Sequence, residues 1–286
     1  MSDNIVFYLV FLCQVILISY YYPNKILNRA KLMVEKYPPS SYPKLYPVSI
    51  EKIERGQRNY RNMNAVIFIA GILLVIVGIL TNYDVASNWD GLITLFFIIQ
   101  FSPMLISEML GFKYFKMMRK ANSGAIRKAE LRPRRFFDFV SPVLFGTTIF
   151  IYIAFILFAL SAYPNQIHLG GKPINLIITI TIGNLFFAGI ILWNIYGKKQ
   201  NPFQANKDRN RQISLTVKSL LLISIVATLF LIISVIVDYY YLDHLMPTIL
   251  CLYHILLAVI SFQLATPILQ IENTDFEVYK EDSVAN

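Results

Sequence analysis

Asn64-Ala65-Val66-Ile67-Phe68-Ile69-Ala70-Gly71-Ile72-Leu73-Leu74-Val75-Ile76-Val77-Gly78-Ile79-Leu80-Thr81 contains no charged side chain. A run of this length crosses the hydrocarbon core of a bilayer as a helix. It lacks the apolar–polar alternation of a barrel strand and is about twice as long as such a strand needs to be. Arg58-Asn59-Tyr60-Arg61 stands just before it. An apolar helix entered from a basic stretch is the unit from which the rest of the chain is read.

Six further runs have the same character, giving spans at 5–22, 64–81, 91–111, 141–162, 174–196, 215–237 and 245–267. The whole chain agrees: of 286 residues 56% are hydrophobic and 15% charged, against about a quarter charged in a soluble domain. Disorder and a single soluble core are excluded. The first run reads as a retained anchor. No Lys or Arg precedes it, and Ser19-Tyr20-Tyr21-Tyr22-Pro23 follows it in place of a small-residue cleavage site.

The net charge is +9, and its placement sets direction. Residues 24–63 and 112–139 hold nine Lys/Arg each and residues 197–213 hold five, which is 23 of the 26. The alternate connections hold only Lys172. By the positive-inside rule the N-terminus lies outside and the C-terminus in the cytoplasm. The fold expected is therefore all-α: a polytopic protein of the inner (cell) membrane with seven transmembrane helices over residues 1–270. An acidic cytoplasmic tail follows at 271–286. Spans two, four and six each follow a basic stretch about 75 residues apart, the pattern of one leading helix and three helical hairpins.

The connection 24–63 has internal order. Pro23 is expected to end span one and Asn24 to cap a new helix. Its apolar residues Ile26, Leu27, Ala30, Met33 and Val34 share one face, which suits a helix lying in the headgroup layer. The three Tyr-Pro pairs between Tyr37 and Pro47 predict a stiff, extended strap. Residues 49–63 form a helix feeding span two. There the run Glu54-Arg55-x-x-Arg58-x-x-x-Asn62 resembles the loop-to-helix stretch of membrane-associated glutathione transferases. That resemblance implies Arg and Asn holding glutathione, but it covers about ten residues. Ala65 stands where that family has an acid, and the family has four spans.

Guanidiniums grip phosphate in bidentate fashion, so Arg58, Arg132, Arg134 and Arg135 are the candidates for a phosphate or lipid headgroup. Nucleic acid is not implied, because no binding motif accompanies the charge and membrane topology already explains it. The tail, at −4 from 270 to 286, is expected to fold back on the basic face by charge attraction.

Inside the membrane, ionisable and amide side chains are the default functional pointers. They are Glu108, expected to pair with Lys113 or Arg119, and Gln100, Asn184 and His254. His254 is expected to donate to a neighbouring polar group. Cys251 and His254 lie one turn apart and Cys13 sits at comparable depth, but a fourth ligand is lacking and no metal site is assigned. Span seven has no Lys for a retinal Schiff base, and no nucleotide-binding or hydrolase motif occurs. No cofactor and no catalytic residue is assigned.

The reading favoured is a non-enzymatic interaction or sensing component whose basic cytoplasmic face engages anionic membrane lipid, or a cytoplasmic or membrane protein partner. A transporter or channel with a path near spans three and seven is the first alternative. An embedded enzyme acting on a lipophilic or glutathione-like substrate is the second.

Overall fold

The computed structural model describes residues 2–81, 91–121, 134–262 and 267–280. Its elements are α1 (Ser2–Ile16), α2 (Tyr22–Lys36), α3 (Ile50–Leu80), α4 (Leu92–Ala121), α5 (Pro142–Ala162), α6 (Lys172–Tyr196), α7 (Asn206–Tyr239) and α8 (Met246–Ile260). Short 3₁₀ turns stand in several of the connections, and no strand occurs among the described residues. Among the described residues seven helical stretches are long and apolar enough to cross a membrane, one for each of the seven runs in the sequence. Their outward sides carry large apolar residues such as Val143, Phe150, Leu185, Phe186 and Trp193. Apolar surface on this scale is out of place in water, and it is compatible with a multi-pass membrane protein.

Pro23 does not end the first helix. A five-residue π-helical turn, Leu17–Tyr21, joins α1 to α2 without a break. The wide turn closes with the Tyr22 N–H bonded to the Leu17 carbonyl, and Pro23, which has no N–H to give to the ladder, follows it directly. Nor is the apolar side of α2 left for the headgroup layer. Leu27 and Ala30 are buried, and Met33 packs into a cluster with the strap and the tail.

The bundle is held by two kinds of contact. α1, α3, α4 and α8 share a core of Phe7, Phe11, Val15, Ile67, Val75, Ile93, Phe96, Leu250 and Cys251. α5, α6 and α7 meet through Phe155, Ala159, Ile180 and Val235 at one end, with Ile191, Ile195, Val217 and Leu221 at the other. α7 packs on α8 and links the two groups. At the end away from the basic connections, Lys172 Nζ lies 2.5 Å from Asp238 Oδ1. The Tyr163 hydroxyl donates to the same carboxylate. Burial, then Asp238, push the Tyr163 phenol above its ordinary range. This clamp ties the ends of α5, α6 and α7 together.

The opposite end carries a cap. The strap at 37–47 is a succession of turns rather than an extended segment: Ser41 and Tyr42 N–H groups both bond the Pro38 carbonyl, and Pro43–Leu45 is a 3₁₀ turn. Prolines preset the φ of turn positions as readily as that of an extended chain. Rings then lock the turns. Tyr37 stacks on Phe276 at 3.9 Å, Tyr46 donates to the Tyr37 carbonyl at 2.6 Å, and Tyr114 of α4 donates to the Leu45 carbonyl at 2.5 Å. Leu45, Met118, Ile271, Phe276 and Tyr279 are its buried centre.

The cap yields a pH prediction. Burial pushes the phenols of Tyr46 and Tyr279 up to about 12, against about 10 in an unfolded chain. An acid whose pKa is raised by folding contributes stability in full below the unfolded value and loses it as pH rises toward the folded one. The cap is therefore expected to open between about pH 10 and 12. Tyrosinate absorbance and proteolysis of residues 267–280 should rise together over that window; proteolysis that climbs at neutral pH would contradict it.

Candidate functional site

Between α2 and the first turns of α3 lies a groove of about 450 Å³. It arises from two polar faces set side by side. On α2, Asn24, Asn28, Lys31 and Glu35 recur at three- and four-residue spacing; on α3, Glu54, Gln57, Arg58 and Arg61 do the same. Side chains so spaced share one helix face. The floor is apolar, made by Leu27, Val34, Ile50 and Ile53.

The two helices run antiparallel because the strap returns the chain. Tyr20 against Phe68, ring centroids 5.5 Å apart, fixes their register just below the groove. Arg61 and Arg58 thus stand nearest the apolar spans, Lys31 stands level with Arg58, and Glu35 and Glu54 lie one turn farther out. No ion pair forms among these five charges in the described structure, although Lys31–Glu35 and Glu54–Arg58 are each spaced four apart. A second hollow of about 350 Å³ adjoins the first and is lined by Arg29, Leu32, Glu35, Lys36, Ile271 and Glu272. There the Arg29 guanidinium pairs with Glu272 of the tail.

Of the arginines singled out as phosphate ligands, Arg58 is not brought together with Arg134 or Arg135. Arg58 lines the groove. Arg134 donates to the Ile195 carbonyl at 3.1 Å, capping the last turn of α6. Arg135 is exposed, its backbone N–H bonded to Asp138, and Arg132 lies outside the described residues. A partner across the groove from Arg58 was not anticipated. The signal was present in the matched polar spacings at 24–35 and 54–61, but only the hairpin turns them to face each other.

The intramembrane candidates separate in the same way. Gln100 is 2% exposed and belongs to a buried chain in which Gln14 donates to it at 2.8 Å and it donates to Ser19 at 3.1 Å. Asn184 accepts from Ser224 at 2.6 Å, joining α6 to α7. His254 does not donate from Nδ1; that atom has no partner among the described residues, and the ring stacks flat on Phe97 at 3.9 Å. Stacking fixes the imidazole by ring area rather than by a hydrogen bond. Glu108 does not pair with Lys113 or Arg119. It faces outward without a partner among the described residues, while Arg119 donates to the Gln200 carbonyl at 3.1 Å. Cys13 is exposed and Cys251 buried, so the two thiols and His254 do not converge.

The groove is an open, unpaired set of cations and carboxylates over an apolar floor, beside the start of the apolar stretch of α3. Comparison with protein-family models, with curated proteins and with solved structures gave no match.

Proposed function

We propose that the protein is an interaction or sensing component of the cell (inner) membrane, with its N-terminus outside and its C-terminus in the cytoplasm. Its basic cytoplasmic face engages the phosphates of membrane lipid, and the α2–α3 groove is the seat for a headgroup. Orientation is supported by the distribution of Lys and Arg and by the way the tail, the strap and the polar ends of α3, α4 and α7 gather at one end.

The groove is the observation that carries the reading. Arg58, Arg61 and Lys31 stand unpaired where α3 turns from polar to apolar at Asn64. A headgroup entering from the bilayer meets guanidiniums, whose planar fork of donors matches phosphate oxygens in bidentate fashion. Leu27, the inner residue of the apolar floor, lies on the side where the glycerol and the first methylenes would enter. The bundle below is filled by its own side chains around Gln100 and His254, which favours this reading over a solute path.

Lipid retention tests it. With Lys31, Arg58 and Arg61 all changed to Gln, the protein extracted in mild detergent is expected to co-purify with several-fold less phospholipid than wild type. All three side chains are exposed, so each change should shift stability by no more than about 0.5 kcal/mol. Equal lipid content in the two preparations would overturn the proposal.

A further inference from the structure

The groove's charges are sorted along its length, and this deepens the functional reading on which it rests. Arg58, Arg61 and Lys31 occupy the end nearest the apolar spans; Glu35 and Glu54 occupy the outer end. Each carboxylate is four residues from a cation on its own helix, so the two tiers are separated by about 6 Å of rise. An all-anionic headgroup would use the inner tier and be repelled by the outer one. A headgroup with a phosphate close to its acyl chains and a protonated amine farther out satisfies both tiers at once. We propose that the groove is a site for a phosphoethanolamine headgroup, presented by a membrane phospholipid.

The assignments follow from donor chemistry. Arg58 and Arg61 donate to the phosphate oxygens and Lys31 adds a third cation from across the groove. Glu35 and Glu54, which only accept when ionised, take the N–H groups of the ammonium. A primary ammonium has three such donors, whereas the trimethylated amine of a choline headgroup has none. A glycerol headgroup offers hydroxyls to the carboxylates but no positive charge. The pairs Lys31–Glu35 and Glu54–Arg58 are open in the structure, so neither tier must break a bond with the other to receive its group. Asn24, Asn28 and Gln57 complete the wall with amides able to donate or accept.

Native mass spectrometry of the purified full-length chain tests this. It would be supplied in turn with phosphatidylethanolamine, phosphatidylglycerol and phosphatidylcholine of matched acyl chains. Wild type is expected to prefer phosphatidylethanolamine over both others by roughly five- to tenfold, the range that two partly exposed carboxylate contacts supply. The Glu35→Gln/Glu54→Gln double variant should lose that preference and still bind phosphatidylglycerol. Arg58→Gln/Arg61→Gln should lose all three lipids.

Wild type favouring phosphatidylglycerol, with binding lost in Arg58→Gln/Arg61→Gln, would overturn this inference and leave the broader lipid reading standing. Binding unchanged in both double variants would overturn the two together. Soluble glycerophosphoethanolamine is expected not to displace the lipid at equal concentration, since it lacks the acyl chains that continue from the inner tier into the bilayer. Displacement would overturn a membrane lipid as the source of the headgroup.

Discussion

Gly71→Val is expected to destabilise the protein by roughly 3 kcal/mol, the upper range for overpacking a filled core. A β-carbon at position 71 would lie 2.7 and 2.8 Å from the two methyls of Val15 and 3.0 Å from the ring of Phe96. Neither neighbour has room to yield. Val15 is fully buried and, being β-branched, is held to one χ1 well in a helix. Phe96 is pinned against Phe11 with centroids 5.4 Å apart. Gly71 therefore lets α1, α3 and α4 approach where all three meet, the role small residues play between membrane helices. Gly183→Val is the control: nothing lies within 4 Å of a β-carbon there, and little change is expected. Thermal unfolding in one detergent, with the monodisperse fraction recovered, measures both. Equal midpoints for the two variants would show that the Gly71 contact does not hold the helices.

Much of this architecture can be read from residue order. Spans appear as uncharged runs because lipid demands apolar side chains and backbone bonds closed within the segment. That demand acts residue by residue, so the run at 64–81 announces itself. Pro23 is a local signal that points to an end for the first helix, while the π turn at Leu17–Tyr21 that accommodates it depends on packing. Glu108 illustrates the converse. Spacing alone made Lys113 and Arg119 its partners, yet Arg119 is taken by a carbonyl of the α6–α7 connection, 81 residues away in sequence. The site was legible in part. Arg58 was named for its charge and place, but Glu35 and Lys31 join it only because the strap folds α2 against α3. Arg134 was named for the same chemistry and serves as a helix cap instead. Chemical type is written in the sequence; the partner that spends it is not.

Phe276→Ala is expected to undock the tail, raising amide exchange across 267–280 and 37–47 by about a hundredfold or more. Truncating a buried Phe costs roughly 3 kcal/mol or more, and each 1.4 kcal/mol is tenfold in a local opening equilibrium. The sequence had implied that an acidic tail would be drawn to a basic face by charge. The structure places residues 271–280 against the strap and α4, but the means are different. Phe276 is 7% exposed and stacked on Tyr37; Ile271 and Tyr279 are buried beside it. Tyr279 accepts from Asn201 at 2.6 Å, and Arg211 donates to the Asn273 carbonyl at 2.8 Å. The charge pair Arg29–Glu272 sits at the exposed edge. Glu272→Gln removes it and should change exchange only a few-fold, as exposed pairs do. Raising the salt concentration should have a similarly small effect, since screening weakens surface charges and leaves ring packing intact. The two variants thus separate the forces: exchange that responds to Glu272→Gln or to salt as strongly as to Phe276→Ala would mean that charge, and not the aromatic cluster, holds the tail on the cap.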